Sequence, residues 1–95
     1  MEHLYIVTYD IREPRRWRKV FQAMHGFGER LQLSVFQCRL GKERVLKMEE
    51  ILRKHVDQLK DHVLIMDLGP AEQVQPKVSS IGKAFSPVET GPVIV

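Results

Sequence analysis

Residues 4–10 read Leu4-Tyr5-Ile6-Val7-Thr8-Tyr9-Asp10, the most continuous strand-like run near the N-terminus. Tyr, Ile, Val and Thr favour a pleated, extended backbone. Apolar or aromatic side chains fall on both alternating sets of positions, which is typical of a central strand that is covered on both faces. The strand ends on a carboxylate, and ligands are commonly held at strand ends in α/β sheets. Asp10 is therefore the first candidate site residue.

A basic amphipathic helix is predicted directly after this strand. Pro14 suits the first helical position, and Glu13 before it is placed to cap the helix. The apolar stripe at three- and four-residue spacing, which we assign to the core, is Trp17, Val20, Phe21 and Met24. The basic residues around the helix start and its exposed side are Arg12, Arg15, Arg16, Arg18 and Lys19. We expect Gly26 and Gly28 to end the helix with positive φ angles.

Three further elements are predicted between residues 30 and 70. Alternating residues 30–35 indicate a half-buried strand, and the alternation slips at Phe36, so residues 30–40 form either one bulged strand or two short ones. A second helix is predicted from the apolar spacing of Met48, Ile51, Leu52, His55, Val56 and Leu59. Residues 63–66 are apolar on both faces and are followed by Gly69-Pro70, which predicts another central strand.

The predicted order of elements is βαββαβ, the order of an α+β ferredoxin-like sandwich with an antiparallel sheet and both helices on one face. This arrangement leaves the other apolar face of the sheet bare, so we predict that a second copy covers it and that the protein is a homodimer. We assign residues 1–77 to the domain and residues 78–95 to a C-terminal extension. Within the extension, residues 78–81 are predicted as a short strand. Residues 92–95 are predicted as an edge strand swapped to the partner subunit, or else as a disordered end.

The composition indicates one globular domain in a reducing compartment. The 95 residues contain one cysteine, Cys38, which excludes an internal disulfide and a cysteine-rich zinc site. No apolar run approaches the about 20 residues of a membrane helix, and Glu2 and His3 do not suit a signal peptide. We therefore expect a cytoplasmic protein with no membrane partner.

Positive charge is concentrated in the half of the chain that contains Asp10. Residues 1–54 hold 12 Lys and Arg against 7 Asp and Glu, whereas residues 55–95 hold 3 against 5. A carboxylate within a positive surface suggests a polyanion bound beside a metal, although solvated surface charge is an alternative. One or two carboxylates suffice for Mg²⁺, and two Asp10 residues across a two-fold axis would let the metal activate water against a phosphodiester. The alternative, that Asp10 caps the helix, is weakened by the better position of Glu13.

Two motifs carry a resemblance to a known family. The first is Tyr9-Asp10-Ile11 with the arginine-rich helix start, and the second is Gly28-Glu29-Arg30-Leu31-Gln32-Leu33-Ser34-Val35-Phe36. Together they resemble the signatures of the small CRISPR-associated endonuclease family, the partner of the CRISPR integrase in spacer acquisition. The resemblance extends from residue 4 to about residue 69, and residues 91–95 resemble the swapped C-terminal strand of that family.

The resemblance implies a ferredoxin-like homodimer in which Asp10 of both subunits shares one Mg²⁺ ion across a cleft. It implies a metal-dependent endonuclease acting on RNA or DNA, with Asp10 catalytic. Tyr9, Ser34 and Phe36 would support the site, and Arg30 and residues 16–19 would bind nucleic acid with the other basic residues of the helix start. Trp17 and Lys19 stand where some members have Arg, and Gln37 stands where many have Glu.

Two function classes remain open at this point. The dimer is either a nuclease that also takes part in spacer integration, or a non-catalytic scaffold that binds DNA within the integrase complex. Both need the same basic surface, and the absence of a series of base-stacking aromatic residues leaves RNA and DNA as alternative substrates. A regulatory module for a small metabolite is a third reading, but no polar pocket signature supports it.

Overall fold

The computed structural model describes residues 1–83, which form one antiparallel sheet and two helices. The elements in chain order are β1 (His3–Asp10), α1 (Pro14–Met24), β2 (Glu29–Gln32), β3 (Val35–Leu40), α2 (Lys42–His55) and β4 (His62–Pro70). The strand order across the sheet is β2-β3-β1-β4, and all neighbours are antiparallel. The ferredoxin-like fold is therefore confirmed, with β1 at the centre as predicted.

The core lies between the two helices and one face of the sheet. Val7 of β1 is the register partner of Phe36 in β3, and both side chains are fully buried. The core cluster around them consists of Val7, Tyr9, Ile11, Val20, Phe21, Met24, Phe36, Cys38, Leu40, Met48 and Leu52. Because both helices contribute to this one cluster, both cover the same face of the sheet. We call the other face the open face.

The open face is partly apolar, as predicted. Leu64 and Met66 of β4 are 48% and 42% exposed, and their register partners on β1 are Thr8 and Ile6. Leu4, on the same face, is nevertheless buried. The segment after β4 lies close to Leu4, because Leu4 and residues Ala71, Val74, Gln75 and Pro76 of that segment line the same cavity. The apolar patch therefore lies mainly on β4 and the neighbouring part of β1.

The structure settles or corrects several predictions on the strands. Residues 30–40 form two short strands, and the single half-buried strand predicted over residues 30–35 is wrong because the chain turns at Leu33 and Ser34. Residues 63–66 belong to β4, which pairs only with β1 within residues 1–83, so the prediction of a central strand is wrong for this part of the chain. The short strand predicted over residues 78–81 does not form. The predicted strand of residues 92–95 lies outside the described residues.

The ends of the two helices also differ from the sequence prediction. Helix α2 ends at His55, and Leu59 lies beyond it with 96% of its surface exposed. Gly26 and Gly28 do not have positive φ, since within residues 1–83 only Gly69 and Gly82 do. Gly28 is required for space instead: a Cβ there would collide with the carbonyl oxygen of Gln37 and lie 2.6 Å from Cys38 Sγ. Among the described residues, neither helix is long and apolar enough to cross a membrane.

Candidate active site at the C-terminal end of β1

Asp10 is the last residue of β1 and is exposed to solvent. It does not cap α1, because Glu13 does so as predicted: its two carboxylate oxygens accept hydrogen bonds from the backbone N–H groups of Arg15 (2.9 Å) and Arg16 (3.0 Å). Within residues 1–83 Asp10 forms no ion pair. Its carboxylate is thus available to a ligand.

The backbone next to Asp10 is held by the turn between β2 and β3. The Tyr9 backbone N–H donates to the carbonyl oxygen of Ser34 at 3.1 Å, and the Tyr9 hydroxyl donates to the carbonyl oxygen of Leu33 at 3.1 Å. Burial raises the pKa of Tyr9, so the phenol remains protonated and keeps donating. Trp17 Nε1 donates to Ser34 Oγ at 2.9 Å, which ties the same turn to α1. Tyr9 and Ser34 therefore fix the position of Asp10.

Aromatic side chains pack against one another on the core side of this turn. The ring of Trp17 stacks on Phe21 with 4.7 Å between centroids, and Phe36 lies edge-on to Phe21 at 6.0 Å. Tyr9 lies 6.3 Å from Phe36. The guanidinium of Arg30 lies over the Phe21 ring at 5.6 Å, a cation–π contact. The structure thus places Phe36 in the core beneath the site and packs Arg30 against the aromatic cluster.

Arg16 is engaged inside the protein, although the sequence analysis counted it among the nucleic-acid contacts. Its Nε and Nη2 donate to the two carboxylate oxygens of Asp61 at 2.7 and 3.1 Å. The Asp61 side chain is only 1% exposed and also accepts the Asp57 backbone N–H at 2.8 Å. The hydrogen bond from Arg16, more than any other cause, holds the pKa of Asp61 below its ordinary value. This pair joins the start of α1 to the loop that leads into β4, and no sequence signal marks it because the partners are 45 residues apart.

The remaining basic residues of this region point outward. Arg12 is exposed in the connection between β1 and α1. Arg15, Arg18 and Lys19 are exposed on α1, and their three- and four-residue spacing places them on one side of the helix. Within residues 1–83 none of these four side chains forms an ion pair. They provide a positive surface on the element that follows Asp10, which is the arrangement that binds phosphate backbones.

The described part of one chain contains no complete metal site. Within residues 1–83, no three His, Cys, Asp or Glu side chains are grouped so that they could hold an ion. Mg²⁺ is nevertheless often held by one or two carboxylates and several waters. An exposed carboxylate such as Asp10 is chemically suited to be one ligand of such an ion.

Comparisons with known proteins show which family the chain is similar to. Residues 2–75 match the family model described as CRISPR associated protein Cas2. The chain is 64% identical to a CRISPR-associated endoribonuclease Cas2 of Geobacter sulfurreducens, over the full length of both chains. It is 52% identical to a CRISPR-associated endoribonuclease Cas2 of Rhodospirillum rubrum, over 99% of this chain and 92% of that one. The crystal structure of Streptococcus pyogenes Cas2 at pH 6.5 superposes with a TM-score of 0.72 and 26% identity, over 83% of this chain and 99% of that chain.

Proposed function

The chain belongs to the CRISPR-associated Cas2 protein family, and we propose that it acts as a homodimeric, magnesium-dependent endonuclease in which Asp10 of both subunits binds the metal. The observation that carries the proposal is the exposed Asp10 carboxylate at the end of the central strand, which forms no ion pair within residues 1–83, with a positive surface on the helix that follows. The names of the two relatives compared above make a nuclease the first activity to test.

Dimer formation is supported by the open face of the sheet. Leu64 and Met66 are large apolar side chains exposed side by side on β4. Soluble proteins seldom leave such a patch in water, and a second copy is the simplest partner for it. Asp10 lies on the open face, since its neighbours on the other face are the buried residues Tyr9 and Ile11. A two-fold axis that passes through this face close to the end of β1 would bring a second Asp10 toward the first.

The roles of the residues follow from this arrangement. The two Asp10 carboxylates would hold a magnesium ion, which would supply an activated water and charge stabilisation for hydrolysis of a phosphodiester. Asp10 binds and orients that ion. Arg12, Arg15, Arg18 and Lys19 hold the phosphate backbone, while Tyr9, Ser34 and Phe36 keep the end of β1 in place. Arg16 positions the loop before β4 through Asp61.

The proposal starts with RNA as the substrate, because the two relatives carry the name endoribonuclease. Single-stranded DNA and duplex DNA are tested beside it. The basic residues are arranged to contact phosphates, so binding is expected to depend on salt and to select weakly among sequences.

The second candidate function is a scaffold that binds DNA in the integrase complex during spacer acquisition. The observation that favours it is the same exposed set of basic residues, which binds a duplex whether or not Asp10 holds a metal. The two functions are compatible in one protein, and a variant of Asp10 separates them.

The test is Asp10→Asn, which keeps the size of the side chain and one carbonyl oxygen but removes the charge. Cleavage of RNA and DNA with Mg²⁺ is expected to fall by orders of magnitude, while the dimer and nucleic-acid binding persist. Glu72→Gln is the matched control, since it neutralises an exposed carboxylate that follows the other end of β4. If Asp10→Asn cuts as fast as the parent, the metal site is wrong. If cleavage is lost and spacer integration with the integrase continues, both functions exist and are separable.

A further inference from the structure

His62, the first residue of β4, is the register partner of Asp10 across the β1-β4 ladder. The two residues are 52 positions apart in the sequence, and the antiparallel register alone brings them together. Directly opposed residues of an antiparallel pair have their Cβ atoms about 4.5–5.5 Å apart on the same face of the sheet. Both are exposed. An imidazole and a carboxylate therefore share the open face at the end of the sheet.

We propose that His62 supplies an imidazole nitrogen to the metal site of Asp10. The inference rests on the proposed function, because it takes the Asp10 site and the two-fold dimer as given. Two copies then offer two carboxylates and two imidazoles, a mixed set of oxygen and nitrogen ligands that binds a divalent first-row transition-metal ion more tightly than the Mg²⁺ of the proposed activity. Imidazole suits transition metals, whereas Mg²⁺ takes oxygen ligands and keeps its waters.

The backbone that carries His62 is already held in place. Its neighbour Asp61 has a buried carboxylate that accepts hydrogen bonds from Arg16 and from the Asp57 backbone. The ladder with β1 fixes the chain on the other side of the residue. A ligand mounted on such a rigid strand end pays little ordering cost when a metal binds.

The other three histidines are placed differently. His3 is hydrogen-bonded to Asp67 at the opposite end of β1, at 2.9 Å. His25 packs edge-on against Phe21 and Phe36, and burial lowers its pKa. His55 is half-buried at the end of α2. His62 is thus the histidine that is both exposed and aligned with Asp10.

The experiment measures metal binding directly, with Mn²⁺ and Mg²⁺ as the probes and untagged protein at one fixed pH. Calorimetry gives both affinities, and pulsed electron paramagnetic resonance of bound Mn²⁺ detects nitrogen coordination. The parent is compared with His62→Gln, Asp10→Asn and His3→Gln. His3→Gln is the matched control because it removes an imidazole from the other end of the same ladder.

The parent is expected to bind Mn²⁺ more tightly than Mg²⁺ and to show nitrogen coupling. Since loss of even an outer-shell partner costs about 10- to 100-fold in metal affinity, His62→Gln is expected to lose at least about tenfold in Mn²⁺ affinity and to lose the nitrogen coupling. Its Mg²⁺ affinity is expected to change little, and His3→Gln is expected to match the parent.

The outcomes separate this inference from the proposed function. If Asp10→Asn abolishes metal binding while His62→Gln keeps both the Mn²⁺ affinity and the nitrogen coupling of the parent, the Asp10 site stands and the role of His62 is wrong. If Asp10→Asn binds both metals like the parent, the proposed metal site itself is wrong. Circular dichroism of each variant checks that the fold is kept, so that lost binding is assigned to lost ligands.

Discussion

The two ends of β1 are held in different ways. At the end that carries Asp10, which we call the site end, Arg16 pairs with an Asp61 side chain that is 1% exposed, and Trp17 and Tyr9 are hydrogen-bonded to the turn between β2 and β3. At the other end, which we call the distal end, the pairs are Arg39 with Glu2 and His3 with Asp67, and in each pair both side chains are at least about one-third exposed.

The two ends of β1 therefore differ in how strongly their side-chain contacts stabilise the fold. Exposed ion pairs contribute about 0–1 kcal/mol at most, whereas hydrogen bonds to a buried charged group contribute about 1.5–3 kcal/mol. The site end is thus held by the stronger side-chain contacts, although it carries the most exposed residue of the strand. Rigid support beneath an exposed ligand is what a metal or nucleic-acid site requires.

The largest difference between the two ends is expected in nucleic-acid binding. Combined replacement of Arg15, Arg18 and Lys19 by Ala removes three side chains that we propose to contact phosphate beside the site end. The slope of log affinity against log salt should fall by about two to three, and affinity at low salt by about 100-fold. Filter binding or fluorescence anisotropy over a salt series measures both.

The matched control removes three charges away from the site end. Lys42 and Lys47 are exposed in the first half of α2, which begins beside the distal end. Lys77 is exposed directly after Pro76, which lines a cavity with Leu4 and Arg39. Replacing these three residues by Ala should leave the salt slope near that of the parent. Equal effects of the two triple variants would mean that binding follows net charge and not the site end.

The second largest difference is expected in stability. Asp61→Ala removes the buried acceptor of two hydrogen bonds from Arg16 and one from Asp57, so the free energy of unfolding should fall by about 1–3 kcal/mol. For a domain of this size that is a loss of at least about 4 °C in Tm. Glu2→Ala breaks an exposed ion pair at the distal end and should change Tm little. Thermal unfolding followed by circular dichroism measures the Tm of both variants. Equal losses of Tm would contradict the conclusion that the side-chain contacts of the site end are the stronger ones.

The same ion pair should make stability depend on pH. The pKa of Asp61 in the folded protein lies below its ordinary value of 3.8, first because of the hydrogen bond from Arg16. The stabilisation of the fold by ionised Asp61 is therefore fully present above that ordinary pKa, and it is lost as pH falls through the lower pKa of the folded protein. Asp61→Asn should remove this part of the acid destabilisation, which urea unfolding from neutral to acidic pH measures. An unchanged pH profile in Asp61→Asn would show that other carboxylates account for all of it.

The smallest effect is expected for the hydrogen bond between Trp17 and Ser34. Trp17→Phe and Ser34→Ala each remove it, and a double-mutant cycle should give a coupling energy of about 1 kcal/mol. Chemical denaturation of the parent, the two single variants and the double variant gives this value. Strict additivity would mean that the contact does not stabilise the site end.

Local patterns predicted much of this fold. The strand character of residues 4–10, the stripe of α1 and its cap at Glu13 all depend on neighbours within one or two turns of chain. The βαββαβ order followed from such local signals. The same signals placed Asp10 at an exposed strand end.

Features that depend on distant parts of the chain were missed. Pairing of β4 with β1 brings Asp61 to Arg16 and places His62 opposite Asp10. The edge position of β4 depends on sheet topology, which an apolar run does not encode. The need for Gly28 arises from its approach to Cys38, and the spacing of the sequence cannot reveal such a contact.

Cross-linking measures whether two copies of the chain bring their Asp10 residues together. Asp10→Cys places a thiol at the site end, while the native Cys38 is buried and burial raises its pKa to about 12, so it does not react. Treatment with a short bis-maleimide should convert Asp10→Cys into a covalent dimer, measured by mass spectrometry. The parent and Glu72→Cys, which places the thiol beyond the other end of β4, should remain uncross-linked. A covalent dimer from Glu72→Cys and none from Asp10→Cys would contradict the shared site.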